Sequence, residues 1–199
     1  MAEFVFAFLD CEFGGLDVTA HDITEVGVVF TDYRLAELAT AHWRVQFRME
    51  RSTPEARAIF GYDPKLWETA VPVRQMLSEF ADLCPPGKVT VPAGQNVRMD
   101  VLYLEQAYKD CELAYPFDYH VIDLATLFYS WSLVAGEVIS SLSLRQSSTQ
   151  AGLADGAVPH KALEDARLTL DTFRHYIGRL APREPVVSPP ASQTENPET

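Results

Sequence analysis

The sequence has few cysteines, no long apolar run and no excess of positive charge. Its 3 cysteines, Cys11, Cys84 and Cys111, lack C-x-x-C spacing and are odd in number, which predicts free thiols in a reducing compartment. No apolar run approaches the ~20 residues that cross a membrane. The start, MAEFVFAFLD, lacks the basic segment of a signal peptide. We therefore expect a cytoplasmic protein with no membrane partner.

Positive charge is scarce, because 16 Lys and Arg stand against 28 Asp and Glu, for a net charge of −12. Phosphate contacts normally come from Lys and Arg, so the charge argues against a broad surface that coats DNA. It does not exclude a nuclease with an acidic site, since bound metal ions invert the local field. Hydrophobic residues make up 47% of the chain, which suits one globular domain with a sizeable core.

The composition changes near residue 181. The last stretch, APREPVVSPPASQTENPET, is rich in Pro, Ser, Thr and Glu and poor in residues that could form a core. We therefore predict one folded domain over residues 1–180 and a disordered tail over residues 181–199.

Apolar periodicity and turn residues predict an α/β fold. Strands are predicted at residues 4–10, 23–30, 42–48, 88–93 and 119–122. Helices are predicted to begin near Thr53-Pro54, Asp63-Pro64, Pro72 and His160, and to cover residues 97–110, 124–135 and 141–152. Short connections between the first three strands favour an antiparallel meander. The order predicts a mixed five-stranded sheet with three antiparallel strands first and helices on both faces.

Asp10 and Glu12 end the first predicted strand, in the stretch FLDCEFGGL. Alternate side chains of a strand share a face, so these two carboxylates point the same way. They repel each other unless a proton neutralises one or a cation holds both, and Mg²⁺ favours such oxygen ligands. Taken alone, the pair is better explained as two solvated acids at a strand end.

Two further groups of polar residues follow. Asn96 and Asp100 are four apart and would share a face of the predicted helix, although Asp100 could simply be a solvated acid in a first helical turn. His160 and Asp165 lie ~140° apart on an ideal helix and would not touch there. If the helix begins after Pro159, His160 lies on the entry loop and can swing over a site while Asp165 is held rigidly. An exposed loop histidine and a surface acid are the alternatives.

Together these motifs resemble the DEDDh class of 3′–5′ exonucleases, the family of polymerase proofreading domains, RNase T and oligoribonuclease. The resemblance covers roughly residues 4–180, and its most specific part is the last motif. The matching segments are Asp10 to Glu12 with Gly15-Leu16, ITEVG from Ile23, Asn96 with Asp100, and HKALEDA from His160.

The resemblance implies an RNase H-like fold and hydrolysis of phosphodiester bonds with two divalent ions, Mg²⁺ with Mn²⁺ substituting. Two cations neutralise the entering and leaving oxygens of such a reaction. By the family's pattern, Asp10, Glu12 and Asp165 would bind one ion, and Asp10 and Asp100 the second. His160 would be the general base, since imidazole suits proton transfer near neutral pH.

The loop after Glu12 is expected to receive the terminal nucleotide of the substrate. Gly14 and Gly15 would let the backbone approach the ligand, and Phe13 and Leu16 would contact the terminal base, with core packing as the alternative for both. Asn96 would orient this site or only cap its helix, and Glu25 is expected to be structural.

The substrate is left open between RNA and DNA. The absence of an extended basic patch mildly favours 3′ ends of short or single strands. A non-catalytic subunit that binds 3′ ends beside a polymerase, or an endonuclease of similar fold, are the alternatives. A homodimer or a polymerase partner is also possible, but no residue of the sequence specifies either.

Overall fold

The computed structural model of the chain describes residues 3–155 and 160–180. Its strands are β1 (Phe4–Phe13), β2 (Ile23–Thr31), β3 (Glu37–Arg44), β4 (Val89–Gly94) and β5 (Ile122–Asp123). Its α-helices are α1 (Pro54–Ile59), α2 (Val73–Leu83), α3 (Arg98–Asp110), α4 (Leu124–Ala135), α5 (Leu144–Gln150) and α6 (Ala162–Arg179). Short 3₁₀ turns cover Met49–Arg51 and Leu66–Thr69.

The strands form one five-stranded sheet in the order β3-β2-β1-β4-β5. β1 pairs antiparallel with β2, and β2 pairs antiparallel with β3, so the predicted meander is confirmed. β4 and β5 add to the other edge in parallel. This is the predicted mixed α/β sheet of RNase H-like type.

The two faces of the sheet are covered by different helices. Alternate residues of β1, such as Leu9, pack with α2 and α3 in the larger apolar core. The intervening residues face α6, where Phe8 contacts Phe173 edge to face at 5.4 Å between ring centroids. α4 and α5 then pack against the outer side of α6 around Tyr176. Because side chains of a strand alternate, the face of β1 that continues beyond Phe8 toward α6 is the face of Asp10 and Glu12.

Several predicted element bounds needed correction. The third strand covers Glu37–Arg44 rather than residues 42–48, the fifth has two residues, and Asp63-Pro64 leads into a 3₁₀ turn instead of a helix. The chain nonetheless stays extended past Arg44, because Val45 donates its N–H to the carbonyl of Thr24 and forms a bridge with Val71. The predicted helix at residues 141–152 is confirmed in part by the shorter α5.

The predicted domain boundary and tail are not tested by these residues. α6 ends at Arg179, and residues 181–199 as well as Pro159 lie outside the described part of the chain. None of the described helices combines the length and apolar composition of a membrane-spanning segment.

Candidate active site

The end of β1 carries two carboxylates beside a glycine on the neighbouring strand. Asp10 pairs with Gly27 of β2, and Glu12 pairs with Glu25. A β-carbon on Gly27 would lie 2.2 Å from the backbone nitrogen of Leu163, so only glycine leaves room for α6 to rest on β2 at this point. This close approach brings the first turn of α6, with Asp165, over the carboxylates of β1.

Glu12, His160 and Asp165 converge at this point. Each offers a side-chain ligand atom, and these three atoms lie within 4.8 Å of one another. Asp165 is 4% exposed, and its Oδ1 is buried with no hydrogen-bond partner among the described residues. A buried carboxylate oxygen without a donor is costly, and a cation removes that cost.

His160 reaches the cluster from the entry loop, as predicted from the position of Pro159. α6 begins at Ala162, with Lys161 as its N-cap, so His160 lies outside the helix. Its backbone φ is 49°, a left-handed conformation that few non-glycine residues adopt. The ideal-helix argument that separates His160 from Asp165 therefore does not apply here, and the two side chains approach each other. The imidazole is exposed at the mouth of the site.

Asp100 enters from the other face of the sheet. The parallel pairing of β1 with β4 ends at Phe8 and Ala93. Beyond it, the N–H of Cys11 donates to Oδ1 of Asp100 at 2.8 Å, so the carboxylate takes the place of the missing strand partner. Asp100 is 6% exposed and lies in the first turn of α3.

The acids raise one another's pKa. Burial, and then the negative charges of Asp100, Glu12, Asp165 and Glu25, raise the pKa of Asp10 well above its usual range. Burial and then Asp165 are the largest causes that raise the pKa of Glu12 to about 8.

The acids on the helices are shifted in the same direction. Burial raises the pKa of Asp100 to about 7, against the hydrogen bond from Cys11. Burial raises the pKa of Asp165 to about 6, and nearby His160 opposes the shift. A group of carboxylates that resist ionisation together fits divalent cations held by oxygen ligands, as does the unpartnered Oδ1 of Asp165.

The loop after Glu12 is shaped by contacts within the protein. A β-carbon on Gly14 would lie 2.3 Å from the carbonyl oxygen of Arg51, and one on Gly15 would lie 2.6 Å from the ring of His21. These contacts leave no room for a β-carbon at either position. The predicted approach of this backbone to a ligand is not tested.

Phe13 and Leu16 differ sharply. Phe13 is half-buried and stacks on Tyr103 at 4.0 Å between ring centroids, while the Tyr103 hydroxyl donates to the carbonyl of Gly15 at 2.8 Å. Leu16 is 84% exposed. Packing therefore accounts for Phe13, whereas Leu16 has no packing role of this kind.

Asn96 does not share a helical face with Asp100, because it lies outside α3. α3 begins at Arg98 with Val97 as N-cap, and Asn96 is exposed in the preceding loop with φ 54°. It does not cap the helix either; the N–H of Val97 donates instead to Asp123 at 3.0 Å. A role in substrate binding for Asn96 stays a prediction.

A groove of about 480 Å³ runs from Glu12 between the loop and α1. One wall contains Phe13, Gly15 and Leu16, and the other is formed by Thr53, Glu55, Ala56 and Ile59. The sequence predicts α1, because Thr53 caps it by accepting the N–H of Ala56, but nothing in the sequence indicates that α1 faces the site. The volume of the groove is within the range of small-molecule sites.

An RNase H-like sheet that brings Asp10, Glu12, Asp100, Asp165 and a histidine to one edge defines a nuclease of the DEDDh type. The model of the exonuclease family matches residues 7–173, and the chain belongs to this family.

Solved structures of similar fold include those of E. coli exonuclease I. A zinc-bound complex with single-stranded DNA has TM-score 0.72 and 16% identity, covering 90% of this chain and 41% of that one. The complex with a dT13 oligonucleotide has TM-score 0.70 and 17% identity, covering 90% and 42%. This chain thus spans about two fifths of the length of the exonuclease I chains. No curated protein matches it in sequence.

Proposed function

We propose that the chain is a 3′–5′ exonuclease that hydrolyses the phosphodiester bonds of single-stranded nucleic acid with two divalent metal ions. The observation that carries the proposal is the convergence of Glu12, His160 and Asp165 within 4.8 Å at the end of a nucleotide-sized groove. Family membership supports a nuclease, and the likeness to exonuclease I chains solved with single-stranded DNA supports a single-stranded substrate.

Different residues of the chain would bind the metal ions, take the proton and contact the substrate. Asp10, Glu12 and Asp165 would hold one ion, and Asp10 with Asp100 the second. When bound, two such ions neutralise charge at the attacking and leaving oxygens. His160, exposed at the mouth of the site, takes the proton from the attacking water. Leu16 and Ile59 face the groove and contact the terminal nucleotide.

We further propose an identity for the metal ions and a cellular compartment for the chain. Mg²⁺, with Mn²⁺ substituting, is supported by a ligand set made mostly of carboxylate oxygens. A cytoplasmic, reducing setting is supported by three free cysteines. The substrate is not assigned to RNA or to DNA. A homodimer or a polymerase partner stays a prediction.

A labelled-strand assay tests the function. The full chain receives 5′-labelled single-stranded RNA, single-stranded DNA or a mismatched primer-template, with Mg²⁺, Mn²⁺ or EDTA. We expect a ladder that shortens from the 3′ end and that disappears with EDTA and in Asp10→Ala. Glu105→Gln, an exposed acid on α3, is the matched control and should cut normally. Internal cutting as the main product, or cutting in EDTA, would contradict the proposal.

His160→Ala should lower kcat by about 10²–10⁴-fold, the usual contribution of a general base, while metal binding is largely retained. Titration calorimetry with Mn²⁺ measures the binding. His120→Ala, which removes an exposed histidine bonded to Asp118, is the matched control. If metal affinity falls as far as kcat, His160 is a ligand and the general-base assignment is wrong.

A further inference from the structure

A second, smaller cavity is lined in part by His160. Its volume is about 110 Å³, and its lining includes Glu25, Arg44, Ile59, Trp67, His160 and Lys161. Ile59 lines both this cavity and the groove beside Glu12, so the two cavities adjoin at Ile59. The small cavity holds several water molecules but less than a quarter of the volume of the groove, which suits a compact polar group rather than a base.

Arg44 is the unusual residue of this cavity. Its guanidinium lies over the ring of Trp67 at 5.5 Å from the centroid. Its Nε is buried without a hydrogen-bond partner, and no described carboxylate lies within ion-pair distance of it. Arg48 and Arg51, by contrast, both form ion pairs with Asp22. A half-buried guanidinium without an acceptor calls for a ligand.

Two neighbouring residues, Trp67 and Lys161, also carry N–H donors. Nε1 of Trp67 is also buried without an acceptor among the described residues. Lys161 has a side chain that is 62% exposed and a loose contact of 3.7 Å with Glu164. Arg44, Lys161 and Trp67 therefore line one cavity.

The acid of the cavity is already engaged. Glu25 is 4% exposed, and its Oε1 lies 2.5 Å from Nε2 of His42. It forms no ion pair with Arg44, its cross-strand partner, or with Lys161. In a chain of net charge −12, an arginine without an ion pair to any described residue and an exposed lysine 3.7 Å from its partner mark a place for an anion beside His160.

We propose that Arg44 and Lys161, with Trp67 supporting the guanidinium, form a phosphate-binding site beside His160. A guanidinium fork matches the oxygens of a phosphate, and stacking on Trp67 limits the freedom lost on binding. The phosphate comes either from the bound strand, at a linkage other than the one being cut, or from a free phosphate or nucleoside monophosphate. The first source rests on the proposed function, and the second does not.

Binding measurements in EDTA separate the two sources, because they need no cleavage. The proteins are the wild type, Arg44→Gln, Lys161→Gln and the control Lys88→Gln, whose lysine pairs with Glu3 beside the opposite end of β1. Fluorescence anisotropy gives Kd for a labelled single-stranded hexanucleotide at several salt concentrations. Titration calorimetry gives the affinities of inorganic phosphate and thymidine 5′-monophosphate directly.

For a strand phosphate, Arg44→Gln should weaken hexanucleotide binding about tenfold, the usual effect of one charge-assisted contact. The slope of log Kd against log salt should fall by about 0.7. Methylphosphonate at one particular linkage should weaken wild-type binding equally and should not weaken Arg44→Gln further. For a free phosphate, hexanucleotide affinity stays unchanged while the directly measured affinities for phosphate and the monophosphate weaken about tenfold.

The site is rejected if Arg44→Gln and Lys161→Gln both match Lys88→Gln in every binding measurement. Thermal melting checks that Arg44→Gln is folded. If it is not, Lys161→Gln, whose side chain is mostly exposed, gives the same readouts. Wild-type protein that binds phosphate but cuts no strand would refute the proposed function and leave this site standing.

Discussion

Asp100 on α3 and Asp165 on α6 reach the same site from opposite faces of the sheet, but they are held there differently. Asp100 accepts the N–H of Cys11 at 2.8 Å and so completes the hydrogen bonding of β1. Asp165 has a buried Oδ1 without a partner among the described residues. One acid therefore supports the fold and the site together, whereas the other lacks a partner that a cation can supply.

The helices that carry these two acids, α3 and α6, are also positioned differently. α3 approaches β1 beyond the point where β4 stops pairing with it. α6 rests directly on Gly27, and Asp165 follows from that contact. We infer that the position of Asp165 depends on steric fit, while that of Asp100 depends on a hydrogen bond.

Replacing Asp100 or Asp165 by alanine should have the largest effects, and it tests whether the two acids contribute differently to stability. Asp100→Ala and Asp165→Ala should each lower activity by about 10³-fold or more, since a bound metal supplies several kcal/mol of charge stabilisation. In EDTA at about pH 4, where the raised pKa of Asp100 keeps it protonated and its burial carries little charge penalty, Asp100→Ala should lower the free energy of unfolding by about 1–3 kcal/mol, because the N–H of Cys11 loses its acceptor. Asp165→Ala should cost less. Equal losses of stability in urea melts would contradict the comparison.

Gly27→Ala should displace α6 and, with it, Asp165. The new β-carbon would lie 2.2 Å from the nitrogen of Leu163. We expect a loss of about 10²-fold in kcat, as for a displacement of ~1 Å at an active site, and a cost of about 1–3 kcal/mol from overpacking. Gly178→Ala is the control, because Gly178 lies on α6 and nothing is within 4 Å of the position of its β-carbon. It should keep full activity; an active Gly27→Ala would refute the steric role.

The metal-free protein should lose stability as pH rises from about 4 to 8. The carboxyl pKa values of the unfolded chain lie near ~4, and the folded values of Asp165, Asp100 and Glu12 are raised to about 6, 7 and 8. The folded state therefore binds more protons in this range, and the free energy of unfolding falls with pH.

Thermal melts in EDTA from pH 5 to 8 measure this loss, which we expect to be several degrees in Tm. Asp165→Asn should flatten the lower part of the curve because it removes the group with the lowest of these pKa values. Mg²⁺ should raise Tm more at pH 8 than at pH 5, since protons compete with the ion. A Tm in EDTA that rises over this range would contradict the assignment of raised pKa values.

Leu16→Ala should have the smallest effect, because neither helix supports this side chain. With Leu16 84% exposed, Tm should stay the same, while KM for an oligonucleotide should rise by a few-fold through lost apolar contact. Val138→Ala, at 95% exposure, is the control and should change neither. An unchanged KM in Leu16→Ala would remove Leu16 from the substrate site.

Local patterns account for much of what could be predicted. The two-residue period of β1 orients Asp10 and Glu12 together, and the stripe of α6 identifies the helix that carries Asp165. α1 and α4 begin at residues whose side chains cap them, Thr53 and Asp123, although Asp123 is not among the predicted start signals. These features depend on residues close together in the chain.

Features set by distant contacts could not be predicted. The close packing of Gly14 and Gly15 follows from Arg51 and His21. Asn and His adopt left-handed backbone more often than most non-glycine residues, but residue type alone does not locate it at Asn96 and His160. β3 was misplaced because its first residues, ELATAH, alternate weakly, while the better pattern follows it in the segment bridged to Val71. The role of α1 as a wall of the groove likewise depends on tertiary packing.

The complete burial of β2 has a consequence for hydrogen exchange. All nine residues of β2 are buried, and the strand is paired on both edges. Its amides should exchange only through global unfolding, whereas those near Leu16, on an exposed loop, should exchange through local opening. Asp10 and Glu12 are thus anchored beside the slowest-exchanging strand, so little conformational entropy remains to be lost there when a cation binds.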